Sequence, residues 1–184
     1  MVHRPADDRL PVLVGCGDVT DATTPIEVGR SPFDLITKAA QLALQDAGAP
    51  GLPSAIDTMA MLRLFSDTSP RFRTKLGASS NPPRSISQRL GIYPTRHIYT
   101  SGGGNMPQYL VNLFAEEIAR GEMRAALIVG GEALRTHFTA SARASMYPGT
   151  KILAESRNFS ATSAADGAIT KSFMACAWRS PCIR

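Results

Sequence analysis

The 184 residues predict a layered α/β fold with a mostly parallel central sheet, and three observations carry that expectation. First, residues 96–132, RHIYTSGGGNMPQYLVNLFAEEIARGEMRAALIVGGE, read as strand, glycine-rich turn, amphipathic helix and second strand, the right-handed unit of parallel sheets. Second, Ala125 to Val129 is an uninterrupted apolar run closed by Gly130 and Gly131, as expected of a central strand covered on both faces. Third, Ser31, Pro32 and Asp34 announce a helix by cap, first-turn proline and early acid, and Gly48 ends it.

In chain order, residues 1–10 are polar, and Val12 to Gly17 form a short apolar strand ending in Gly-Cys-Gly. G-C-G-D-V-T is half of a dinucleotide-binding fingerprint, lacking the third glycine and the immediate helix. Cys16, at the end of that strand, reads as an inert core residue rather than a nucleophile. The helix after Ser31 has Leu35, Ile36, Ala39, Leu42 and Ala43 on its apolar face. Residues 49–55 read as a Pro/Gly linker, and the stretch from Ile56 to Phe65 as a strand or a buried turn. Arg71, Arg73 and Lys75 lie in a polar loop, either a phosphate grip or a solvated surface. A short helix runs from Asn81 through Leu90 and stops at Gly91.

The strand from His97 to Thr100 then leads into Ser101, Gly102, Gly103 and Gly104. Glycines there allow φ > 0 and close approach of a bound group. Asn105 is placed to cap the next helix, Pro107 fits its first turn and Gly121 ends it. Leu110, Val111, Phe114 and Ile118 make its apolar stripe, with Glu117 off that stripe. N–H groups around Gly103, Gly104 and Asn105 suit an oxyanion, carboxylate or phosphate, and a close-packed turn without ligand is the plain alternative. Ser101 precedes the helix and needs a separate base to act as a nucleophile.

The net charge of +5 does not mark a nucleic-acid binder. Residues 1–136 carry 14 Lys and Arg against 13 Asp and Glu, whereas 137–184 carry six against two, with no basic helix face or aromatic interleaving. No apolar run is long enough to span a membrane, and MVHRPADDRLP is not a signal peptide, so a cytoplasmic protein is expected. Cys16, Cys176 and Cys182 are too few for a disulfide framework or paired metal site. His3, His97 and His137 lack ligand spacing, so no metal is expected. His97 reads as a partly buried, hydrogen-bonded residue rather than a catalytic base.

Three stretches together resemble the thiolase superfamily, specifically the thiolase-like, acetyl-CoA acetyltransferase proteins: SPFDLITKAAQLALQDAG (Ser31 to Gly48), YTSGGGNMPQYLVN (Tyr99 to Asn112) and ALIVGGEALRT (Ala126 to Thr136). The resemblance covers about Pro11 to Thr136 and implies a thiolase-like N-terminal half over residues 1–136. It also implies acyl-CoA thioester substrates, Claisen-type acyl transfer and a place in lipid metabolism. Thiolases carry a nucleophilic cysteine at the start of the helix after the glycine turn, where N–H groups and the helix dipole favour the thiolate. That position falls on Gly104 or Gly103, neither with a thiol, and the remaining catalytic groups belong to a C-terminal half. No catalytic residue is therefore assigned, and Ser101, Gly102, Gly103, Gly104 and Asn105 stand as the ligand-binding candidates.

Residues 137–184 are rich in Ser, Ala and Thr without sustained periodicity, so an irregular tail is expected, read as the product of a frameshift. The functional expectation is a thiolase-like protein, catalytically inactive in this truncated form. Its rivals are a noncatalytic acyl-CoA or coenzyme A binding module and an inert product. No resident cofactor is expected, with a coenzyme A thioester as substrate or ligand. By analogy with related dimers, a homodimer would form through the strand from His97 to Thr100.

Overall fold

The structure is a computed structural model that describes residues 10–21, 24–25, 30–70, 79–134, 136–138 and 175–179. Its elements are β1 (Val12–Gly17), α1 (Pro32–Asp46), α2 (Leu52–Ala55), β2 (Thr58–Met61), a 3-10 turn (Phe65–Asp67), α3 (Pro82–Leu90), β3 (Arg96–Tyr99), α4 (Met106–Ala119), β4 (Ala125–Val129) and β5 (Ala175–Arg179). The sheet order is β1-β5-β4-β2-β3.

β2 pairs in parallel with β3 and β4, as the strand–turn–helix–strand pattern requires. β4 is the middle strand, and all five of its residues are buried. Alternate β4 residues serve opposite layers. Ala125, Leu127 and Val129 pack with Phe33, Ile36 and Ala40 of α1 and Ile86 of α3, while Ala126 and Ile128 pack with Leu110, Phe114 and Ile118 of α4. Helices on both faces explain the unbroken apolar runs of β2 and β4.

The helix starts at Ser31 and Asn81 follow their sequence signals. Ser31 and Asp34 form a reciprocal capping box, and the Asn81 side chain accepts from Arg84 N–H at 3.2 Å. Gly91 and Gly121 end their helices at φ +68° and +75°.

Several expectations change. The presumed linker at 49–55 contains the short helix α2, with Leu52 and Ala55 buried in the core. The ambiguous stretch from Ile56 to Phe65 resolves into a buried strand, β2, and the start of the 3-10 turn. Glu117 is not off the buried side of α4. It is 9 % exposed, and Arg96 on β3 reaches it with two bonds, at 2.6 and 3.1 Å, which lets a carboxylate lie on the buried side of the helix. Cys16 is half-buried rather than core, on an edge strand whose Leu13 is 47 % exposed. The tail is not wholly irregular: Ala175–Arg179 forms β5, antiparallel to both β1 and β4, where it takes up backbone groups those strands would otherwise leave unpaired. β5 thus runs against the parallel set. Arg71, Arg73, Lys75, His3 and Cys182 lie outside the described residues.

Candidate functional site

The parallel strands β2, β3 and β4 end at one edge of the sheet, and the segments that leave them interlock there. Ligands of open parallel sheets bind outside that carboxyl edge. After β3, Thr100 is 6 % exposed and its Oγ1 accepts from Arg63 N–H at 3.0 Å, fixing the segment after β2. The next five residues, Ser101 to Asn105, are all exposed.

These five candidates therefore come together at one place, in front of α4. Their local geometry differs from expectation in two ways. None of Gly102, Gly103 and Gly104 has positive φ, so the turn does not need glycine for its backbone angles. Asn105 sits at the N-cap but its side chain makes no cap bond; its Oδ1 lies back towards Gly103, 2.7 Å from where a Cβ there would stand. A Cβ at Gly104 would meet nothing within 4 Å, and one at Gly102 would lie 3.6 Å from the Thr68 methyl, an ordinary contact. Neither packing nor conformation demands glycine at 102 and 104, so the space above the turn is open. The start of α4 has no side-chain cap; Met106 N–H donates to Gly103 O at 3.2 Å and Pro107 has no N–H, so in the first helical turn it is Gln108 N–H, with the positive end of the dipole, that is offered to an anion.

Among the described residues Ser101 meets no activating base. Its hydroxyl donates to Met106 Sδ at 3.4 Å, and among the described residues no histidine or carboxylate bonds it. His97 is half-buried and hydrogen-bonded, as expected, but its partner was not legible: Ser87 Oγ lies 2.9 Å from Nε2. Burial, with the Arg84 charge adding, pushes the His97 imidazole below its ordinary value. Ser87 is only 2 % exposed and also donates to Arg84 O at 3.0 Å, so this Ser–His pair is a structural bond with no access for a substrate. Among the described residues no cluster of His, Cys, Asp and Glu could hold a metal ion. No helix among them is long and apolar enough to cross a membrane.

Not legible in the sequence is a polar network that holds residues 63–67 against the ends of β3 and β4. The Tyr99 hydroxyl donates to Asp67 Oδ2 and accepts from Leu64 N–H at 3.1 Å, and burial followed by the Asp67 bond pushes its ionisation up. The Arg63 guanidinium lies 5.6 Å from the Tyr99 ring centroid and donates to Asp67 O at 3.0 Å. Glu132, after β4, accepts from Phe65 N–H through Oε1. Burial, with the Asp67 charge adding, pushes its carboxyl up, and the Phe65 bond acts against that. Glu132 also lines a small cleft with Pro32, Phe65, Ser66, Leu134 and His137.

Among solved structures the chain is similar to a monomeric SCP2-thiolase-like protein type 1 from Mycobacterium smegmatis, with 36% identity over 68% of this chain and 24% of that one, at a TM-score of 0.55. It is also similar in fold to OleA from Xanthomonas campestris, in a form with one histidine changed to asparagine (14% identity, 92% of this chain, 56% of that one, TM-score 0.58). A form of OleA with one cysteine changed to serine, holding bound lauric acid and lauroyl-CoA, matches at 17% identity over 77% of this chain and 49% of that one, TM-score 0.52. The chain thus spans about a quarter of the first protein's length and about half of OleA's. No protein-family model and no curated protein matches it.

Proposed function

From this likeness to the thiolase superfamily, we propose that the chain is an acyl-CoA protein that binds coenzyme A thioesters at its glycine turn without itself transferring the acyl group. The observation that carries this is the open, uncapped start of α4, where Gly104 leaves room for a ligand and neither it nor Gly103 supplies a thiol. A thioester carbonyl or a phosphate would meet backbone N–H groups and the helix dipole there. Acyl transfer would need a nucleophile that neither glycine provides. The fold neighbour with bound lauroyl-CoA supports the ligand class. We place the protein in the cytoplasm, where acyl-CoA is handled, and a second copy along β3, which is an edge strand.

The test is ligand-induced stabilisation. A protein that binds acetyl-CoA gains about 2.7 kcal/mol at a ligand concentration 100 times Kd. Coenzyme A and acetyl-CoA should raise the melting temperature of the whole chain, and Gly104→Asp should abolish the gain by setting a negative charge at the helix start. An inert product shows no shift with either ligand, and a catalyst releases free thiol from acetyl-CoA.

A further inference from the structure

The segment 63–68 is tied at three points to the strand that leads into the glycine turn. Thr100 Oγ1 takes Arg63 N–H, and the Tyr99 hydroxyl takes Leu64 N–H and donates to Asp67 Oδ2. A fourth tie comes from the far side. Glu132 Oε1 accepts Phe65 N–H, so a half-buried carboxyl following β4 sets where the same segment lies.

We propose that Glu132 is a positioning residue for the glycine turn, acting through segment 63–68, and that protonation of its carboxyl loosens that hold. An ionised carboxylate accepting a backbone N–H makes a charge-assisted bond about twice as strong as a neutral one. Adding a proton withdraws that advantage at Phe65, and a shift there is carried through Leu64 N–H to Tyr99 and through Arg63 N–H to Thr100, the residue before Ser101. Among the described residues the titratable and charged groups around Glu132 are Asp67, which opposes its ionisation, His137 across the cleft, and, beyond Asp67, Tyr99 and Arg63; Pro32, at the start of α1, brings no charge. The Thr68 hydroxyl donates to Phe65 O at 2.6 Å, so the segment moves as a closed turn rather than as a loose strand. This inference concerns the unliganded chain and stands whether or not a thioester binds.

The experiment is a pH titration of backbone amide resonances in the whole chain. The amides of Phe65, Thr68, Gly102 and Gly103 should shift with one shared midpoint above the ordinary glutamate value, and Glu132→Gln, which keeps an oxygen for Phe65 N–H, should flatten all four. Thr100→Val keeps the side-chain shape and removes the acceptor of Arg63 N–H. It should leave the Phe65 titration in place and take most of the amplitude from Gly102, which decides the matter even if Glu132→Gln fails to fold. The proposal is overturned if Phe65 titrates while Gly102 stays still, if Gly102 responds fully in Thr100→Val, or if the shared midpoint persists in Glu132→Gln.

Discussion

Two glycine clusters, Gly15 and Gly17 in β1 and Gly102 to Gly104 before α4, look alike in the sequence and have opposite reasons for being glycine. A Cβ at Gly17 would stand 2.1 Å from Ala39 O and 2.4 Å from Ala43 N, and one at Gly15 would stand 2.3 Å from Ala43 O. The backbone of α1 rests directly on β1, and no side chain can lie between them. At Gly104 nothing lies within 4 Å. The first cluster is explained entirely by packing; in the second, Gly103 faces Asn105 Oδ1, and Gly102 and Gly104 are left over once packing is accounted for. That surplus is what makes the second a candidate site and removes the first from consideration as a nucleotide fingerprint.

The largest effect that would break this contrast is at Gly17. Gly17→Ala forces a backbone shift in α1 and should cost about 3 kcal/mol or more, at the upper end of overpacking penalties, read as a steep loss of denaturant midpoint. Gly104→Ala should change stability by less than about 0.5 kcal/mol in the same assay.

The helix starts sharpen the comparison by a smaller amount. Ser31→Ala dismantles a complete capping box and should cost about 1 kcal/mol, whereas Asn105→Ala removes a side chain that caps nothing and should be near neutral. Equal losses at both would show that the start of α4 is capped after all.

Gly104→Cys tests the open helix start by its chemistry. Because the helix end favours thiolate, the introduced thiol should be alkylated by iodoacetamide about tenfold faster than Cys16 at neutral pH, followed site by site in mass spectra. A rate equal to that of Cys16 would mean the N–H groups there do not reach the sulfur.

The acid limb is the smallest effect. Burial would raise Asp34, but the Ser31 hydroxyl and N–H and the Arg89 guanidinium outweigh it and hold its carboxyl below the usual 3.8. Burial would likewise raise Asp57, and Arg124 more than offsets it. Their stabilisation is full above pH 3.8 and lost as pH falls through the lowered folded values. Glu132 has the opposite sign: its folded value is raised above 4.5, so its ionisation costs stability as pH rises from 4.5 through that value. Glu132→Gln should therefore melt no lower than the parent at neutral pH, and thermal melts across the acid range would show both limbs.

What was legible in the sequence was local. Ser31 with Asp34, Asn81 before two prolines, Gly91 and Gly121 each act on neighbours a few residues away, and the apolar run of β4 states its own burial. The site was legible only in part. Ser101 to Asn105 form one contiguous turn and could be found together, but the Tyr99–Asp67, Phe65–Glu132 and Arg63–Thr100 bonds join residues 32, 67 and 37 positions apart, which no local pattern encodes. The same distance hid β5, whose partners β1 and β4 lie far upstream. Glycine is the other blind spot. Gly17 and Gly104 differ only in what comes near them, and that is a tertiary fact.

Titrating acetyl-CoA into the whole chain while following backbone amides tests most directly the proposed holding of an acyl-CoA ligand at the glycine turn. Saturable shifts are expected at Gly102, Gly103, Gly104 and Asn105 with Gly15 and Gly17 unmoved; saturable binding that bypasses those four amides, or no binding at all, would contradict the proposal.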